Sequence, residues 1–163
     1  MIQIIQAVLP EHIQTAGSLF FEYAKSVNVS LCFENLDKEV ESLPGPYAPP
    51  NGSLLLALCD GKVAGCVALK RVDPETCEMK RLYVRNEFRG QGIGKQLTIA
   101  IAREGRRIGY KTIRLDTLPS MKEAISLYDS LGFEPIPQYR ELPVPGALFM
   151  QAVLEQVVSR VKS

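Results

Sequence analysis

The spacing of apolar residues changes several times along the chain, which predicts short strands alternating with amphipathic helices. A first strand is expected over residues 1–9, and apolar residues then recur at helical spacing over residues 11–27. A second, short helix is expected over residues 35–43. Residues 44–52 hold four prolines and two glycines, so we expect a loop there.

Three strands follow as a predicted antiparallel meander, over residues 53–59, 62–72 and 77–84. Two turn signals separate them. Asp60-Gly61 is typical of a type I′ hairpin turn, and Asp73-Pro74 marks the second change of direction. The first half of the chain therefore predicts helices followed by an antiparallel sheet.

Helices and strands alternate in the second half. The pattern predicts a helix over residues 94–108, a strand over 111–116 and a helix over 121–131 that stops at Gly132. A meander followed by a strand–helix–strand crossover predicts an α/β (α+β) fold, with a central mixed, mostly antiparallel sheet flanked by helices. The last strands are expected over residues 133–136 and 147–154.

The composition is that of one ordinary globular domain covering residues 1–163. The chain is 46% hydrophobic and 23% charged, with a formal net charge of +1. So small a charge argues against nucleic acid as a partner. The N-terminal residues lack the features of a signal peptide, and the longest apolar run, residues 54–59, is too short to span a bilayer. We therefore expect no membrane partner.

Cysteine and histidine are too few and too scattered to predict a metal site. The four cysteines show no C-x-x-C spacing, and His12 is the single histidine, expected at a surface or a helix end. We expect reduced thiols and hence a cytoplasmic location.

A basic, glycine-rich segment lies between the third meander strand and the long helix: Arg89-Gly90-Gln91-Gly92-Ile93-Gly94-Lys95. Glycines let the backbone approach a bulky anion, and the first free N–H groups of a helix favour negative charge. The arginine adds donors that suit phosphate oxygens. The segment is therefore predicted to bind a pyrophosphate.

Two familiar nucleotide motifs fit this segment poorly. A P-loop needs serine or threonine after its lysine, but Gln96 follows Lys95. A dinucleotide fingerprint needs G-x-G-x-x-G, whereas this chain has G-x-G-x-G after an antiparallel meander. Asp116 alone is roughly placed for the acidic residue of that fingerprint.

The spacing R-x-x-G-x-G, formed by Arg89, Gly92 and Gly94, resembles that of the GNAT superfamily of acetyl-CoA-dependent N-acetyltransferases. A second block, A-I-S-L-Y over residues 124–128 followed by L-G-F over 131–133, is similar to the family's A-x-x-L-Y-x-x-L-G-F ending. The resemblance covers nearly the whole chain. It implies acetyl-CoA as the acyl-donor cosubstrate and no metal.

The resemblance also implies where the cofactor binds. Coenzyme A carries a pyrophosphate for the glycine segment, and its pantetheine arm contains two amides that can pair with a strand edge as an extended peptide does. In the family this edge belongs to the strand before the loop. The cofactor-binding residues implied are Leu82, Tyr83, Val84, Arg89, Gly90, Gln91, Gly92, Ile93, Gly94, Lys95 and Ala124.

Two catalytic residues follow from the same resemblance. Glu78 matches the family's glutamate base, and period-two alternation puts it on one strand face with Lys80, Leu82 and Val84. Its reference pKa of about 4.3 is low for a base, so burial would have to raise it; a solvated strand residue is the alternative. Tyr128 matches the acid that protonates the leaving thiolate, the alternative being a core tyrosine. The backbone N–H near Leu82 is the expected oxyanion donor.

The implied reaction is direct attack by the primary amine of a small or amino-acid-like acceptor. A protein or peptide acetyltransferase, a non-catalytic acyl-CoA-binding module and a homodimer stay open. Many relatives carry asparagine where this chain has Met121, and Ser120 is expected to cap the following helix. The candidate acceptor residues are Glu22, Tyr23, Phe33, Glu34 and Tyr139.

Overall fold

The computed structural model describes residues 1–27, 35–140 and 146–160. They form a seven-stranded sheet with helices packed against it. In chain order the strands are β1 Ile2–Gln6, β2 Ser53–Cys59, β3 Lys62–Asp73, β4 Thr76–Val84, β5 Thr112–Thr117, β6 Glu134–Ile136 and β7 Leu148–Val153. The helices are α1 Pro10–Val27, α2 Leu36–Glu41, α3 Ile93–Ile108, α4 Lys122–Ser130 and α5 Leu154–Ser159, with short 3₁₀ turns over Gly45–Tyr47 and Asn86–Phe88.

The strands lie in the order β1-β2-β3-β4-β5-β7-β6. The first four pair antiparallel, and among them β2, β3 and β4 form the predicted meander. β4 and β5 then pair in parallel, with α3 as the crossover between them, and β7 returns antiparallel between β5 and β6. The predicted mixed, mostly antiparallel sheet flanked by helices is therefore confirmed.

Two hydrophobic clusters cover the two faces of the sheet. On one face α3, α4 and α5 pack through buried side chains such as Leu97, Tyr128 and Leu154. On the other face α1, α2 and the Gly45–Tyr47 turn pack through buried residues including Phe20. Full burial of one large apolar side chain contributes about 1.5–3 kcal/mol. These two layers fix the positions of the strand ends from which the site is built.

The turns predicted from the local sequence occur where they were expected, but helix α5 was not predicted. Asp60 and Gly61 both have positive φ, 51° and 81°, as a type I′ turn requires, and Gly132 follows α4 with φ 92°. The pattern predicts a strand through Leu154, but β7 ends at Val153 and α5 begins. The buried residues of α5 are Leu154, Val157 and Val158, which lie on one face of the helix. The helix has only six residues, too few for the helical spacing to be recognised in the sequence.

Candidate active site

A cleft opens in the sheet where β4 and β5 diverge. The two strands pair only over residues 76–78 and 112–114. Across the described chain, residues 79–84 of β4 therefore have no strand partner on the β5 side. The cavity between the strands has a volume of about 640 Å³ and is lined by β4, β5, α1 and α4, together with Arg89. Its wall thus includes an unpaired strand edge, which can accept an extended, amide-containing ligand.

A bulge in β4 changes which side chains face the cleft. Lys80 pairs with Ala68 and Tyr83 with Cys66, so two residues of β4 oppose a single residue of β3. One of the two is Arg81, whose φ is 60°. The strand alternation restarts beyond this point.

The predicted common face of Glu78, Lys80, Leu82 and Val84 is therefore wrong. Leu82 and Val84 pack against the cluster under α3, whereas Glu78 is flanked in sequence by Cys77 and Met79, which point to that cluster instead. Lys80 stays on the Glu78 side, with its Nζ 4.0 Å from Glu78 Oε1. The bulge separates the two pairs because it inserts one extra residue between them.

The glycine segment folds as a turn against the open end of β4. Gly90 and Gly92 have φ of 83° and 79°, and a Cβ at either position would meet no atom within 4 Å. Arg89 donates from Nε to the Val84 carbonyl oxygen at 3.0 Å, which ties the turn to β4. Gly94 also lies beside Val84, since its ideal Cβ would be 3.8 Å from Val84 Cγ2.

The start of α3 supplies the amide donors that an anion needs. Gly92 is the N-cap, and its carbonyl oxygen accepts the Gln96 N–H at 3.0 Å as the first helical bond. The N–H groups of residues 93–95 precede that bond and have no helical acceptor. The Ile93 side chain is buried in the core and anchors the turn, so only its backbone is available to a ligand.

Tyr128 and Ala124 bring α4 into the same cleft. Both residues line it, together with Leu82, Tyr83 and Val84 of β4. Tyr128 is 5% exposed, and no described residue hydrogen-bonds its hydroxyl. Burial raises its pKa above the ordinary tyrosine value, and the nearby Tyr23 and Asp116 add to the shift. The phenol therefore keeps its proton throughout the neutral range.

Glu78 lies at the end of the cleft where β4 and β5 rejoin, and it is fully buried. Its Oε2 accepts hydrogen bonds from the Tyr139 hydroxyl and, at 2.5 Å, from Arg140 Nη1. Oε1 has no hydrogen bond from a described residue, with Lys70 Nζ 3.6 Å away.

The surroundings of Glu78 decide its protonation. Burial raises its pKa, but Lys80, the Tyr139 hydroxyl and Arg140 together outweigh burial and hold the pKa below the usual glutamate value. The raised pKa that a base role requires is therefore not met in the free protein. Glu78 does not line the cleft itself; Lys80 and Asp116 do.

Asp116, Lys80 and Arg140 complete a charged cluster that the sequence did not predict. Arg140 Nη2 donates to Asp116 Oδ2, and Lys80 Nζ donates to the same oxygen at 3.3 Å. The Arg140 guanidinium also lies 5.4 Å from the centre of the Tyr139 ring. Asp116 is thus a partner of cations at the cleft wall. No spacing rule could have found the cluster, because its members lie on separate strands and a late loop.

The candidate acceptor residues have unequal positions. Tyr23 lines the cleft and stacks on Tyr83, with ring centres 5.6 Å apart. Glu22 does not line it; Arg85 donates to both of its oxygens at 2.9 and 2.7 Å, and these bonds lower its pKa. Tyr139 contacts Glu78 instead of the cleft. Phe33 and Glu34 lie outside the described residues.

Met121 occupies the end of the cleft where α4 starts. It is the N-cap residue of α4, which has no side-chain cap, so the predicted capping role of Ser120 is wrong. Met121 Sδ accepts hydrogen bonds from the Tyr23 hydroxyl at 3.7 Å and from Thr117 Oγ1 at 3.5 Å. A thioether therefore takes two polar contacts at the position where the sequence resemblance leads us to expect an amide side chain.

The two sequence blocks and the split sheet agree with one known family. The model of the acetyltransferase (GNAT) family matches residues 21–133. The chain belongs to this family. Like other GNAT proteins, it is an acyltransferase with N-acetyltransferase activity that uses acetyl-CoA.

Individual GNAT relatives extend the likeness over most of the chain. An uncharacterized N-acetyltransferase of Schizosaccharomyces pombe is 36% identical over 152 residues, which cover 92% of this chain and 93% of its own. The N-acetylaspartate synthetase of Danio rerio is 30% identical over 128 residues, covering 77% of this chain and 45% of its own. The PaiA N-acetyltransferase of Thermoplasma acidophilum, solved with coenzyme A, is 18% identical with a TM-score of 0.72, covering 94% of this chain and 99% of its own. That last likeness is one of fold.

Neither a metal site nor a membrane span is found in the parts of this GNAT chain that can be described. Over residues 1–27, 35–140 and 146–160, no group of three His, Cys, Asp or Glu side chains is arranged to hold a metal ion. Every helix within those residues is too short or too polar to cross a membrane.

Proposed function

We propose that the enzyme transfers the acetyl group of acetyl-CoA to the primary amine of a small, amino-acid-like acceptor by direct attack. One observation carries the proposal. The free edge of β4 runs from the glycine turn, which contacts Val84, to the buried charged cluster at Glu78. Tyr128 of α4 lines the cleft beside this edge. A cofactor laid along this edge has its phosphates at one end and its acetyl group toward the other.

The cofactor site follows from the donors at the open end. Backbone N–H groups of residues 91–95 and the Arg89 guanidinium would hold the pyrophosphate, since helix N-termini and arginine both favour phosphate oxygens. The backbone of residues 82–84 would pair with the two amides of the pantetheine arm. Ala124 would leave room for the thioester, because its side chain is only a methyl group.

Tyr128 would act as the general acid. In direct attack, the amine nitrogen bonds to the thioester carbon, the carbonyl oxygen becomes an oxyanion, and collapse breaks the C–S bond. The leaving thiolate then takes the Tyr128 proton. Burial keeps the phenol protonated until the thiolate forms. Burial also destabilises a thiolate formed beside it, so the sulfur binds the proton more tightly than it would in water.

Glu78 would accept the proton that the amine loses, through ordered water. The carboxylate is ionised at neutral pH, since its pKa is held low. Direct proton transfer from the amine to Glu78 is weakly favoured because the pKa of the carboxyl is low. Glu78 also does not line the cleft. A water relay from the amine to the cluster that contains Glu78 and Asp116 fits both facts.

The charged cluster supports an acceptor that carries a carboxylate. Lys70, Lys80 and Arg140 supply three cations around the two carboxylates of Glu78 and Asp116. This excess of positive charge at the inner end of the cleft would attract an anionic group beside the reacting amine. The relative named N-acetylaspartate synthetase makes an acetylated amino acid.

Two experiments test the proposal. Calorimetry should detect acetyl-CoA binding, and its absence at millimolar cofactor would remove the function altogether. Release of free thiol should then be followed with amino acids and with the matching amines that lack the carboxylate. Turnover with the amino acids alone is expected. Acetylation of peptides alone would favour the protein acetyltransferase, and binding without turnover would favour the acyl-CoA-binding module.

A further inference from the structure

Arg81, at the bulge in β4, has a backbone conformation that is rare for any residue except glycine. Its φ of 60° is left-handed, where the Cβ of an L-residue is crowded by its own backbone. The bulge depends on this conformation because it allows two residues of β4 to oppose one residue of β3. Some contact must therefore stabilise Arg81 in it.

Arg81 forms a two-point ion pair with a glutamate of α2. Arg81 Nε donates to Glu39 Oε2 at 2.9 Å and Nη2 donates to Oε1 at 2.8 Å, a two-point pair that fixes the guanidinium plane. The two side chains are 12% and 23% exposed, so water competes weakly. The Tyr47 hydroxyl donates to Glu39 at 3.4 Å, and the Cys66 thiol donates to the Arg81 carbonyl oxygen at 3.4 Å.

We propose that Glu39 is a positioning residue for the reaction: by holding Arg81 left-handed, it sets the bulge that directs the Leu82 N–H at the acetyl carbonyl. The inference rests on the proposed function, because it needs acetyl-CoA along β4. Leu82 follows Arg81 directly and lines the cleft. A change in the Arg81 backbone rotates the peptide group that contains the Leu82 N–H.

Glycine at position 81 separates this role from other roles of the ion pair. Glycine adopts positive φ without strain, so Arg81→Gly keeps the bulge without Glu39. Glu39→Ala alone should release the bulge, whereas Glu39→Ala combined with Arg81→Gly should restore it. If the pair instead bound substrate, removing both partners would be at least as harmful as removing one. If it only balanced buried charge, Glu39→Ala combined with Arg81→Ala would recover as well as the glycine double variant, because both remove the unpaired guanidinium. Recovery with glycine and not with alanine is therefore expected, since alanine is strained at positive φ.

The first readout needs no acceptor. Infrared difference spectroscopy of bound acetyl-CoA, labelled with ¹³C at the thioester carbonyl, reports hydrogen bonding to the carbonyl oxygen. Glu39→Ala should move the carbonyl band to higher frequency, and the double variant should return it to the wild-type position. Glu41→Ala, an exposed glutamate of the same helix, should leave the band unchanged.

The second readout is turnover with an acceptor that supports release of free thiol by the wild-type enzyme. Glu39→Ala should lower kcat by up to about 100-fold with little change in the KM for acetyl-CoA, since one oxyanion donor is misplaced. Glu39→Gln keeps one acceptor oxygen, so its kcat should lie between those of the wild type and Glu39→Ala. It is also the variant to use if Glu39→Ala does not fold. An unchanged band and kcat in Glu39→Ala, or no recovery in the double variant, would overturn the inference alone. Absence of acetyl-CoA binding to the wild-type protein would overturn the proposed function and this inference with it.

Discussion

Arg140 joins the two carboxylates at the inner end of the cleft, with Nη1 2.5 Å from Glu78 Oε2 and Nη2 donating to Asp116. Arg140 is one of the groups that lower the pKa of Glu78. Replacing it with methionine keeps much of the side-chain length and removes the charge. The pKa of Glu78 should then rise.

This rise can be measured by ¹³C NMR titration of the labelled Glu78 carboxyl. In turnover, the acid limb of the pH profile of kcat/KM should move to higher pH in Arg140→Met if Glu78 accepts the proton. Arg106→Met removes an exposed arginine that pairs with Glu155 at 3.8 Å, and it should change neither quantity. A titration of Glu78 that Arg140→Met leaves in place would contradict the prediction.

Glu78→Gln should lower the free energy of unfolding at neutral pH. It should also make the free energy of unfolding fall less steeply as the pH is lowered. The folded-state pKa of Glu78 is depressed, so its contribution is present above the unfolded pKa of about 4.3 and is lost as pH falls through the folded value. Loss of hydrogen bonds from charged partners suggests about 1–3 kcal/mol at pH 7. Urea unfolding of both proteins between pH 7 and pH 3 should show the difference shrinking. Glu75→Gln, at an exposed ion pair, serves as the control.

Most of the elements and the glycine turn were predictable because their signals are local. Asp60-Gly61, Gly132 and the R-x-x-G-x-G spacing each lie within a few residues, and the fold places them as expected. The partners of Glu78 were not predictable, since Arg140 is 62 residues away in sequence.

The bulge in β4 escaped prediction for a similar reason. Alternation along a strand assumes regular pairing, but Arg81 is held by Glu39 from 42 residues away. One extra residue at Arg81 is enough to change the face of Leu82 and Val84. Tertiary contacts therefore decide the chemistry of the site, although local patterns decide the framework.

Gly92→Ala should weaken cofactor binding more than it destabilises the fold. Its φ is 79°, and a Cβ there meets no protein atom within 4 Å, so the free protein bears only the left-handed strain, about 1–2 kcal/mol. In the complex, the added methyl group would also lie where the phosphates approach. The Kd for coenzyme A, measured by calorimetry, should rise at least about tenfold, or about 1.4 kcal/mol.

Gly109 provides the matched control at the other end of α3. It too has a positive φ, 118°, and open space around a Cβ. Gly109→Ala should therefore lower Tm by a similar amount while the Kd for coenzyme A stays at the wild-type value. Equal weakening of binding in both variants would mean that Gly92 acts through helix stability and not through the phosphate site.

Tyr128→Phe should slow turnover by about 10²–10⁴-fold while the affinity for acetyl-CoA stays nearly unchanged, because only the proton donor is removed. Since burial raises the pKa of Tyr128 above its ordinary value of 10.0, the wild-type enzyme should lose no activity through its ionisation between pH 7 and about 9.5.

Tyr110→Phe is the control: Tyr110 is also buried, but its hydroxyl donates to the Asn51 carbonyl oxygen at 2.6 Å, and it does not line the cleft. Thiol release under saturating acetyl-CoA measures kcat, and calorimetry measures binding. A Tyr128→Phe enzyme with wild-type kcat would assign protonation of the thiolate to water or another group.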